Sequence, residues 1–176
     1  MSALQGYEQE ARSLLRQRGE RVTSPRAAVL AAMLAASAES QARRGSTSAL
    51  THQELSSRLE SEAVRPNIGA LDRVTLYRVL EWMVEIGLAH KIAGDDRVFR
   101  FSLNDATDAQ APTEVSAHGE AAAHAHFHCT ACRRIYCLAE SPLIARALQD
   151  VLPRGFVGKE LAVAVHGLCP DCARKE

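Results

Sequence analysis

The cysteines of this chain are the feature that most constrains its fold. All five lie in the last third of the 176 residues, and four of them form two Cys-x-x-Cys pairs, Cys129 with Cys132 and Cys169 with Cys172. An odd number of cysteines argues against a disulfide framework. Each pair spans a tight turn that can place two sulfurs at neighbouring corners of a tetrahedron, and two such turns complete the four-thiolate site typical of structural zinc. We therefore predict a closed zinc site with no catalytic position; the alternatives are buried cysteines without metal and a redox dithiol.

Composition and charge narrow the functional classes. Lys and Arg number 21 and Asp and Glu also number 21, so the formal net charge is zero. A strongly basic tail for nucleic acid is thereby excluded, although a local basic patch is not. The longest run of low polarity, residues 27–36, is shorter than the roughly 20 residues that cross a bilayer, and the polar N-terminus carries no signal-peptide pattern. We predict a soluble cytoplasmic protein with no membrane partner.

The first hundred residues carry the signals of four helices and a hairpin. Ser24 and Pro25 supply an N-cap and a proline at the first helical position, and residues 51–54 form the pattern of a capping box. The polar segment over 38–49 is predicted to be a loop. The predicted helices cover 8–18, run from Ser24 to that loop, start again after Thr51 and cover 71–86, and the predicted strands cover 88–92 and 97–103.

This order of elements is typical of a winged helix-turn-helix. Helices followed by a hairpin make the helix over 71–86 the recognition helix. Leu76 and Leu80 share one apolar stripe of that helix, so that at about 100° per residue Tyr77 and Arg78 point away from the stripe. Tyr77 and Arg78 are therefore predicted to face solvent or a partner.

The C-terminal part is predicted to be a separate α/β unit. Residues 104–123 are small, polar and acidic and are predicted to form a linker. Strands are predicted over 124–129, 135–139 and 161–166, and a helix over 142–151. The chain is thus predicted to be α+β, with domains over 1–103 and 124–176 on either side of the linker.

A second group of metal-ligating side chains lies beside the first Cys pair. On a strand, His124 and His126 share one face while Cys129 points to the other. If the neighbouring strand forms a hairpin with this one, its Cys137 can sit opposite the two imidazoles. The alternative is a solvated run of histidines beside a small buried cysteine. Two further histidines are kept as reserve candidates, namely His128, which has the same parity, and His118 in the linker.

With these motifs in place, the chain resembles the ferric uptake regulator (Fur) family of bacterial metal-sensing repressors, and among them the zinc uptake regulators (Zur). The resemblance implies an N-terminal winged helix, a C-terminal α/β dimerisation domain, and metal-dependent binding of a homodimer to an inverted-repeat DNA operator. It extends from about Gly19 to Cys172 and is interrupted at 38–49 and 104–123. Its carriers are the segments VTSPR (22–26), VTLYRVL (74–80), HAHFHCTAC (124–132) and GLCPDC (167–172).

The resemblance also implies which residues bind metal. The two Cys-x-x-Cys pairs match the structural zinc ligands of the family, and His124 and His126 match two ligands of its sensory site between the domains. Cys137 falls where many members carry a glutamate ligand, and His90 falls where zinc regulators place a histidine. The sensory site is therefore predicted to consist of His90, His124, His126 and Cys137.

DNA contacts are predicted on and beside the recognition helix. By the resemblance, Tyr77 and Arg78 contact bases and backbone. The tyrosine ring can pack against a thymine methyl, and the guanidinium can reach a guanine edge or a phosphate. Arg73 and Arg26 are candidate phosphate contacts, with a solvated surface arginine as the alternative for each. Thr75 is the fifth predicted DNA contact.

The predicted sensory donors favour zinc. Three imidazole nitrogens and one thiolate suit the tetrahedral preference of zinc, and no carboxylate is evident among them. Ala123 and Ala125 stand where many Fur-family members build an auxiliary metal site, so that site is predicted to be missing. We predict two zinc ions per protomer, one structural and one regulatory. The regulatory ion would tie His90 to the C-terminal ligands, hold two DNA-binding domains about 34 Å apart, and so repress zinc uptake genes.

Three alternatives stay open. An iron- or peroxide-sensing repressor of the same family would use more oxygen donors, for which Glu140 lies nearby in sequence. A zinc-stapled protein-interaction module would keep the cysteine site without binding DNA. An enzyme would use Cys137 and the histidines as nucleophile and base, or as an open zinc site. No Ser/His/Asp order, phosphate loop or pair of acids supports catalysis, so the protein is predicted not to be an enzyme.

Overall fold

The computed structural model describes residues 3–62, 71–104, 123–138, 153–154, 156 and 161–175. Its helices are α1 (Ala3–Gln17), α2 (Ser24–Arg44), α3 (His52–Glu62), α4 (Arg73–Glu85) and the single turn α5 (Pro170–Ala173). Its strands are β1 (Thr47–Thr51), β2 (Ala89–Ala93), β3 (Phe99–Leu103), β4 (Ala123–Cys129), β5 (Ile135–Cys137) and β6 (Leu161–Gly167). The predicted mixture of helix and sheet is confirmed.

The predicted loop over 38–49 is wrong. Helix α2 continues to Arg44 and ends at Gly45, which adopts a left-handed φ of 66° and donates its N–H to the Gln41 carbonyl. Residues 38–44 are polar apart from two alanines, and most of the seven are good helix formers. Residues Thr47–Thr51 form β1. This strand is stabilised by pairing with β3 and β5, which lie far along the chain, and its own residues carry no alternating apolar pattern that predicts a strand.

The four N-terminal helices enclose an apolar core. The predicted capping box at the start of α3 is confirmed, because the Thr51 hydroxyl accepts from the Glu54 N–H at 3.1 Å and the Glu54 carboxylate accepts from the Thr51 N–H at 2.8 Å. Helices α1 to α4 contribute large aliphatic side chains to the core, and β3 contributes an aromatic ring. The fully buried members include Leu15, Leu30, Leu55, Leu76, Leu80 and Phe101.

The predicted hairpin follows α4, with its turn over 94–98. Its second strand begins at Phe99 and not at Arg97, because Arg97 has a left-handed φ of 61°. The Arg100 guanidinium closes the turn by donating to both carboxylate oxygens of Asp96, at 2.9 and 2.8 Å. The predicted order of helices followed by a hairpin is therefore confirmed, with β1 added between α2 and α3.

The six described strands belong to one sheet in the order β2-β3-β1-β5-β4-β6. Strand β1 joins its two halves, since residues 47–49 pair with β5 and residues 50–51 pair with β3. Strands β4 and β6 run parallel, and the other pairs are antiparallel. The sheet therefore connects the part of the chain before the predicted linker to the part after it.

Some predicted elements lie outside the described residues. They are the helix over 142–151, most of the linker, His118 and Glu140. Both end residues of the predicted linker are described, since Asn104 follows β3 and Ala123 begins β4. None of the described helices is long and apolar enough to cross a membrane.

Candidate metal centres and nucleic-acid interface

Four cysteine thiols meet at the end of the C-terminal strands. The sulfurs of Cys129, Cys132, Cys169 and Cys172 all lie within 4.8 Å of one another, and those of Cys132 and Cys169 are 3.8 Å apart. A tetrahedral zinc ion with Zn–S bonds of about 2.3 Å requires S–S separations of about 3.8 Å. The predicted meeting of the two Cys-x-x-Cys pairs is confirmed, and its spacing fits a closed four-thiolate zinc site.

Backbone turns hold these sulfurs in place. In the first pair, the Cys129 carbonyl accepts from the N–H of Arg133, a residue with a left-handed φ of 58°, at 2.9 Å. In the second pair, the Cys169 carbonyl accepts from the Cys172 N–H at 2.9 Å. The Cys169 N–H donates to the Cys129 sulfur at 3.3 Å and so links the two turns. The site is therefore shaped by the backbone and not by long side chains.

The thiols of this cluster differ in acidity. Burial raises the pKa of Cys129, but the backbone N–H groups of Cys132 and Cys169 around its sulfur lower that pKa to about 6. Hydrogen bonding to the Cys169 sulfur, together with burial, raises the pKa of Cys172 to about 12. Zinc binds the thiolate form of cysteine, so a zinc ion must displace the protons of these thiols, and zinc affinity falls on acidification.

A second group of donors joins the hairpin to the C-terminal strands. The Nε2 of His90 on β2 lies 3.3 Å from Nε2 of His126 on β4 and 3.5 Å from the sulfur of Cys137 on β5. All three residues are half-buried. Tetrahedral zinc requires N–N separations of about 3.3 Å and N–S separations of about 3.6 Å. Three of the four predicted sensory ligands are thus brought together at distances that suit zinc.

Strand β4 carries two further histidines, His124 and His128. The backbone of His124 pairs with Ala162 in the sheet, and its side chain lies outside the described atoms. His128 pairs with His166 across β4 and β6, and its imidazole contacts Asp95 and His166, with which it forms a separate group of possible ligands. The reserve candidate His128 therefore belongs to a different group of side chains.

Asn104 orients His90, a role that the sequence does not reveal. Its Nδ2 donates to the Gly87 carbonyl at 3.0 Å, which fixes the amide so that Oδ1 faces Nδ1 of His90 at 2.6 Å. Because an amide oxygen can only accept, Nδ1 carries a proton, and in the neutral imidazole Nε2 is then the unprotonated nitrogen that faces His126 and Cys137. Imidazole ligands are commonly held in this way by a second hydrogen bond. A lone asparagine at the start of a predicted linker gives no signal of such a contact.

Helix α4 presents the predicted DNA contacts on its exposed surface. Arg73, Tyr77 and Arg78 are all exposed, which confirms the predicted orientation of Tyr77 and Arg78. Asp72 caps the helix, because its carboxylate accepts from both the N–H and the hydroxyl of Thr75. The hydroxyl of Thr75 therefore serves the cap, while the two arginines and the tyrosine form the open surface.

Two contacts join α4 to the neighbouring helices α3 and α2. The ring of His52 stacks on Tyr77, with centroids 4.2 Å apart and planes 21° apart, and its Nε2 lies 3.2 Å from the Arg73 carbonyl. The guanidinium of Arg26 lies 3.6 Å from the ring centre of Trp82. Arg26, a predicted phosphate contact, is thus engaged within the protein and ties the start of α2 to α4. His52 is a support for Tyr77 that the sequence does not indicate.

The sequence matches no protein-family model and no curated protein. The fold matches solved structures over most of the chain. A zinc uptake regulator complexed with zinc and DNA is 20% identical, with a TM-score of 0.61 and coverage of 99% of this chain and 98% of that one. The ferric uptake regulator from Francisella tularensis with iron is 19% identical, with a TM-score of 0.56 and coverage of 88% and 96%. A zinc-bound manganese uptake regulator is 18% identical, with a TM-score of 0.53 and coverage of 95% and 98%.

These neighbours define the class of fold. The chain is folded as the metal uptake regulators are, and this is the same group of proteins that its motifs resemble. Zinc, ferric and manganese uptake regulators all share the fold. Because one fold serves different metals, the choice of metal depends on the donor atoms of this chain.

Proposed function

We propose that this protein is a zinc-responsive transcriptional repressor of the Fur family, of the Zur type. In this proposal a homodimer binds an inverted-repeat operator in double-stranded DNA in the cytoplasm and controls zinc uptake genes. The observation that carries the proposal is the group of His90, His126 and Cys137, in which a ligand of the hairpin meets two ligands of the C-terminal strands. The fold shared with a zinc uptake regulator complexed with zinc and DNA supports it.

The donor atoms favour zinc over iron. Two imidazole nitrogens and a thiolate are ligands that zinc prefers, and their separations suit a tetrahedron. Among the described residues, the His90 group contains no carboxylate. We assign His124 as the fourth ligand, since it precedes His126 by two positions on the same strand. The four-cysteine cluster is assigned a second, structural zinc ion, which exchanges slowly because the site is closed.

Zinc is proposed to act by selecting one arrangement of the chain. Helix α4 leads directly into the hairpin that carries His90, so tying His90 to β4 and β5 fixes the position of α4 relative to the C-terminal strands. Two recognition helices held about 34 Å apart in a dimer fit successive major grooves. Loss of the ion releases this tie, more arrangements are populated, and DNA affinity falls. Arg73, Tyr77 and Arg78 are assigned the DNA contacts of each helix.

The first test counts zinc per protomer before and after dialysis against a moderate chelator. We expect two zinc ions to fall to one, and His90→Ala to hold one from the start. His52→Ala removes an imidazole outside both clusters and is expected to hold two. Cys132→Ser is expected to lose the slowly exchanging ion. A His90→Ala protein that retains two zinc ions through purification contradicts the sensory site.

The second test selects duplex DNA from a random-sequence pool with the zinc-loaded protein. We expect an inverted repeat, whose affinity falls by about 5- to 150-fold when the exchangeable zinc is removed. Arg78→Glu is expected to lose this binding while holding both zinc ions. Failure to select any duplex would favour the zinc-stapled interaction module. Binding supported by ferrous iron and not by zinc, or abolished by peroxide, would favour the iron or peroxide sensor.

A further inference from the structure

We propose that Asp95, His128 and His166 form a third divalent-metal site, separate from the four-cysteine cluster and the His90 group. One nitrogen of each imidazole faces the same carboxylate oxygen, since Oδ2 of Asp95 lies 3.7 Å from Nδ1 of His128 and 3.5 Å from Nδ1 of His166. Both distances exceed an ordinary hydrogen bond and approach the separation of about 3.3 Å between ligand atoms of tetrahedral zinc. All three donor atoms lie within 4.8 Å of one another.

The backbone fixes two of these ligands side by side. His128 and His166 are direct partners in the parallel pairing of β4 and β6, so their side chains project from the same face of the sheet. Their ring centroids lie 5.0 Å apart. The side chain of His128 is 11% exposed and that of His166 is 48% exposed. The pair therefore combines one buried imidazole with one that an ion can reach from solvent.

The hairpin turn supplies the third ligand. The side chain of Asp95 is 72% exposed, but its neighbours hold the turn in one shape. Asp96 and Arg100 form an ion pair at 2.8 Å with side chains that are 15% and 8% exposed. A Cβ at Gly94 would overlap the Arg100 guanidinium and the Asp96 carboxylate, so the turn packs closely around this pair. The contacts on both sides of Asp95 thus position its carboxylate over the two imidazoles.

Two imidazoles and one carboxylate are a ligand set for zinc or another divalent first-row transition metal. Three protein ligands leave at least one position for water. A cleft of about 270 Å³, lined in part by Asp95 and His128, has room for it. Because Asp95 and His166 are partly exposed, the ion exchanges readily and binds more weakly than at the cysteine cluster. The site therefore fills only as the metal concentration rises beyond the level that fills the other two.

Binding at this site has a structural consequence. The ion fastens the tip of the hairpin to β4 and β6, two residues along β4 from His126. The His90 group ties the same hairpin to the same strand, so the third ion stabilises the same arrangement at higher metal concentration. This inference does not rest on the proposed repressor function, since it needs no DNA and no dimer.

The test titrates Co²⁺ into the full-length protein after two zinc ions per protomer have been bound. Thiolate ligands select zinc, so the four-cysteine cluster and the His90 group, which contains Cys137, keep their zinc ions. Cobalt at the proposed site then shows weak visible absorption without the near-ultraviolet band of a cobalt–thiolate bond. We expect one further equivalent of Co²⁺, which a third equivalent of Zn²⁺ displaces. His166→Ala and Asp95→Asn are each expected to weaken it by roughly 10- to 100-fold, and His52→Ala is expected to leave it unchanged.

Two results would overturn the third site. Absence of a further equivalent at millimolar Co²⁺ would show that the three side chains make an ion-pair contact only. A further equivalent that persists in both variants would lie elsewhere in the protein. Asp95 lies in the hairpin turn and His166 lies on β6. If one of the two variants fails to hold two zinc ions, the other variant still tests the third site. Neither result affects the repressor proposal, whose zinc count and DNA selection do not involve these residues.

Discussion

The Nε2 atoms of His90 and His126 lie 3.3 Å apart although three strands separate β2 from β4 in the sheet. In a flat sheet, strands four places apart would be about 19 Å distant, since neighbouring strands lie about 4.8 Å apart. The sheet therefore curls back on itself. Its two halves join at β1, where Ala49 pairs with β5 and the next residue, Leu50, pairs with β3. The proposed sensory site is a product of this curvature and depends on the contacts that hold the hairpin.

Asn104→Ala is expected to weaken zinc binding at the His90 group by roughly 10- to 100-fold. The variant removes the acceptor for Nδ1–H of His90, so the ring can rotate and either nitrogen can carry the proton. Competition with a chromophoric chelator measures the affinity, and the four-cysteine zinc should be unaffected. Asn104→Asp keeps an oxygen that can face His90 but loses the donation to the Gly87 carbonyl, so its affinity is expected to lie between those of the wild type and Asn104→Ala. Wild-type binding by both variants would exclude the orienting role.

Gly94→Ala is expected to destabilise the fold by about 1–3 kcal/mol, the usual cost of overpacking. The added Cβ would displace the Arg100 guanidinium or the Asp96 carboxylate, which close the hairpin turn. Urea denaturation measures the change in the free energy of unfolding. Gly6→Ala is the matched control, since a Cβ on Gly6 in α1 meets nothing within 4 Å, and alanine is expected to stabilise the helix by roughly 0.5–1 kcal/mol. An unchanged midpoint for Gly94→Ala would show that the turn tolerates a side chain.

The cap of α4 is expected to lose its contribution to stability in acid. Hydrogen bonds from the side chain and backbone of Thr75 lower the pKa of Asp72 below its ordinary value of 3.8. In the range between the two pKa values, the unfolded chain takes up a proton that the folded chain does not bind. Stability from this group is therefore fully present above the ordinary pKa and is lost as the pH falls through the lowered one.

Asp72→Asn tests this prediction, because asparagine still caps a helix but does not titrate. The free energy of unfolding is measured by urea denaturation from neutral pH down to about pH 3. We expect the advantage of the wild type over Asp72→Asn to shrink as the pH falls below the ordinary pKa. A difference that stays constant over the whole range would contradict the depressed pKa.

His52→Ala is expected to weaken binding to the selected DNA by about 2- to 13-fold, because an aromatic pair contributes about 0.5–1.5 kcal/mol beyond burial. The change removes the ring that stacks on Tyr77 and leaves the tyrosine free to change rotamer. His52→Phe keeps a ring at this place and is expected to restore most of the affinity. Equal losses in the two variants would show that stacking does not position Tyr77.

Features that depend on residues close together in the chain could be predicted from the sequence. The capping box at Thr51, the exposure of Tyr77 and the two cysteine turns each depend on residues within about four positions, so the local pattern is sufficient. The error over 38–49 arises because polarity alone does not distinguish a loop from a solvated helix. Asn104 and Asp95 were not predicted as site residues, because each acts through a contact with a different part of the chain.

The donor chemistry of this protein can be derived from its sequence. The two Cys-x-x-Cys pairs place four thiols in two turns. Because side chains alternate between the faces of a strand, a hairpin of the two strands brings His126 within reach of Cys137. The contact of Asn104 with His90, and the grouping of Asp95 with His128 and His166, follow from the tertiary fold alone. These residues meet because β1 pairs with both halves of the sheet and the sheet curves. Pairing and curvature depend on packing across the whole fold, which no local pattern specifies.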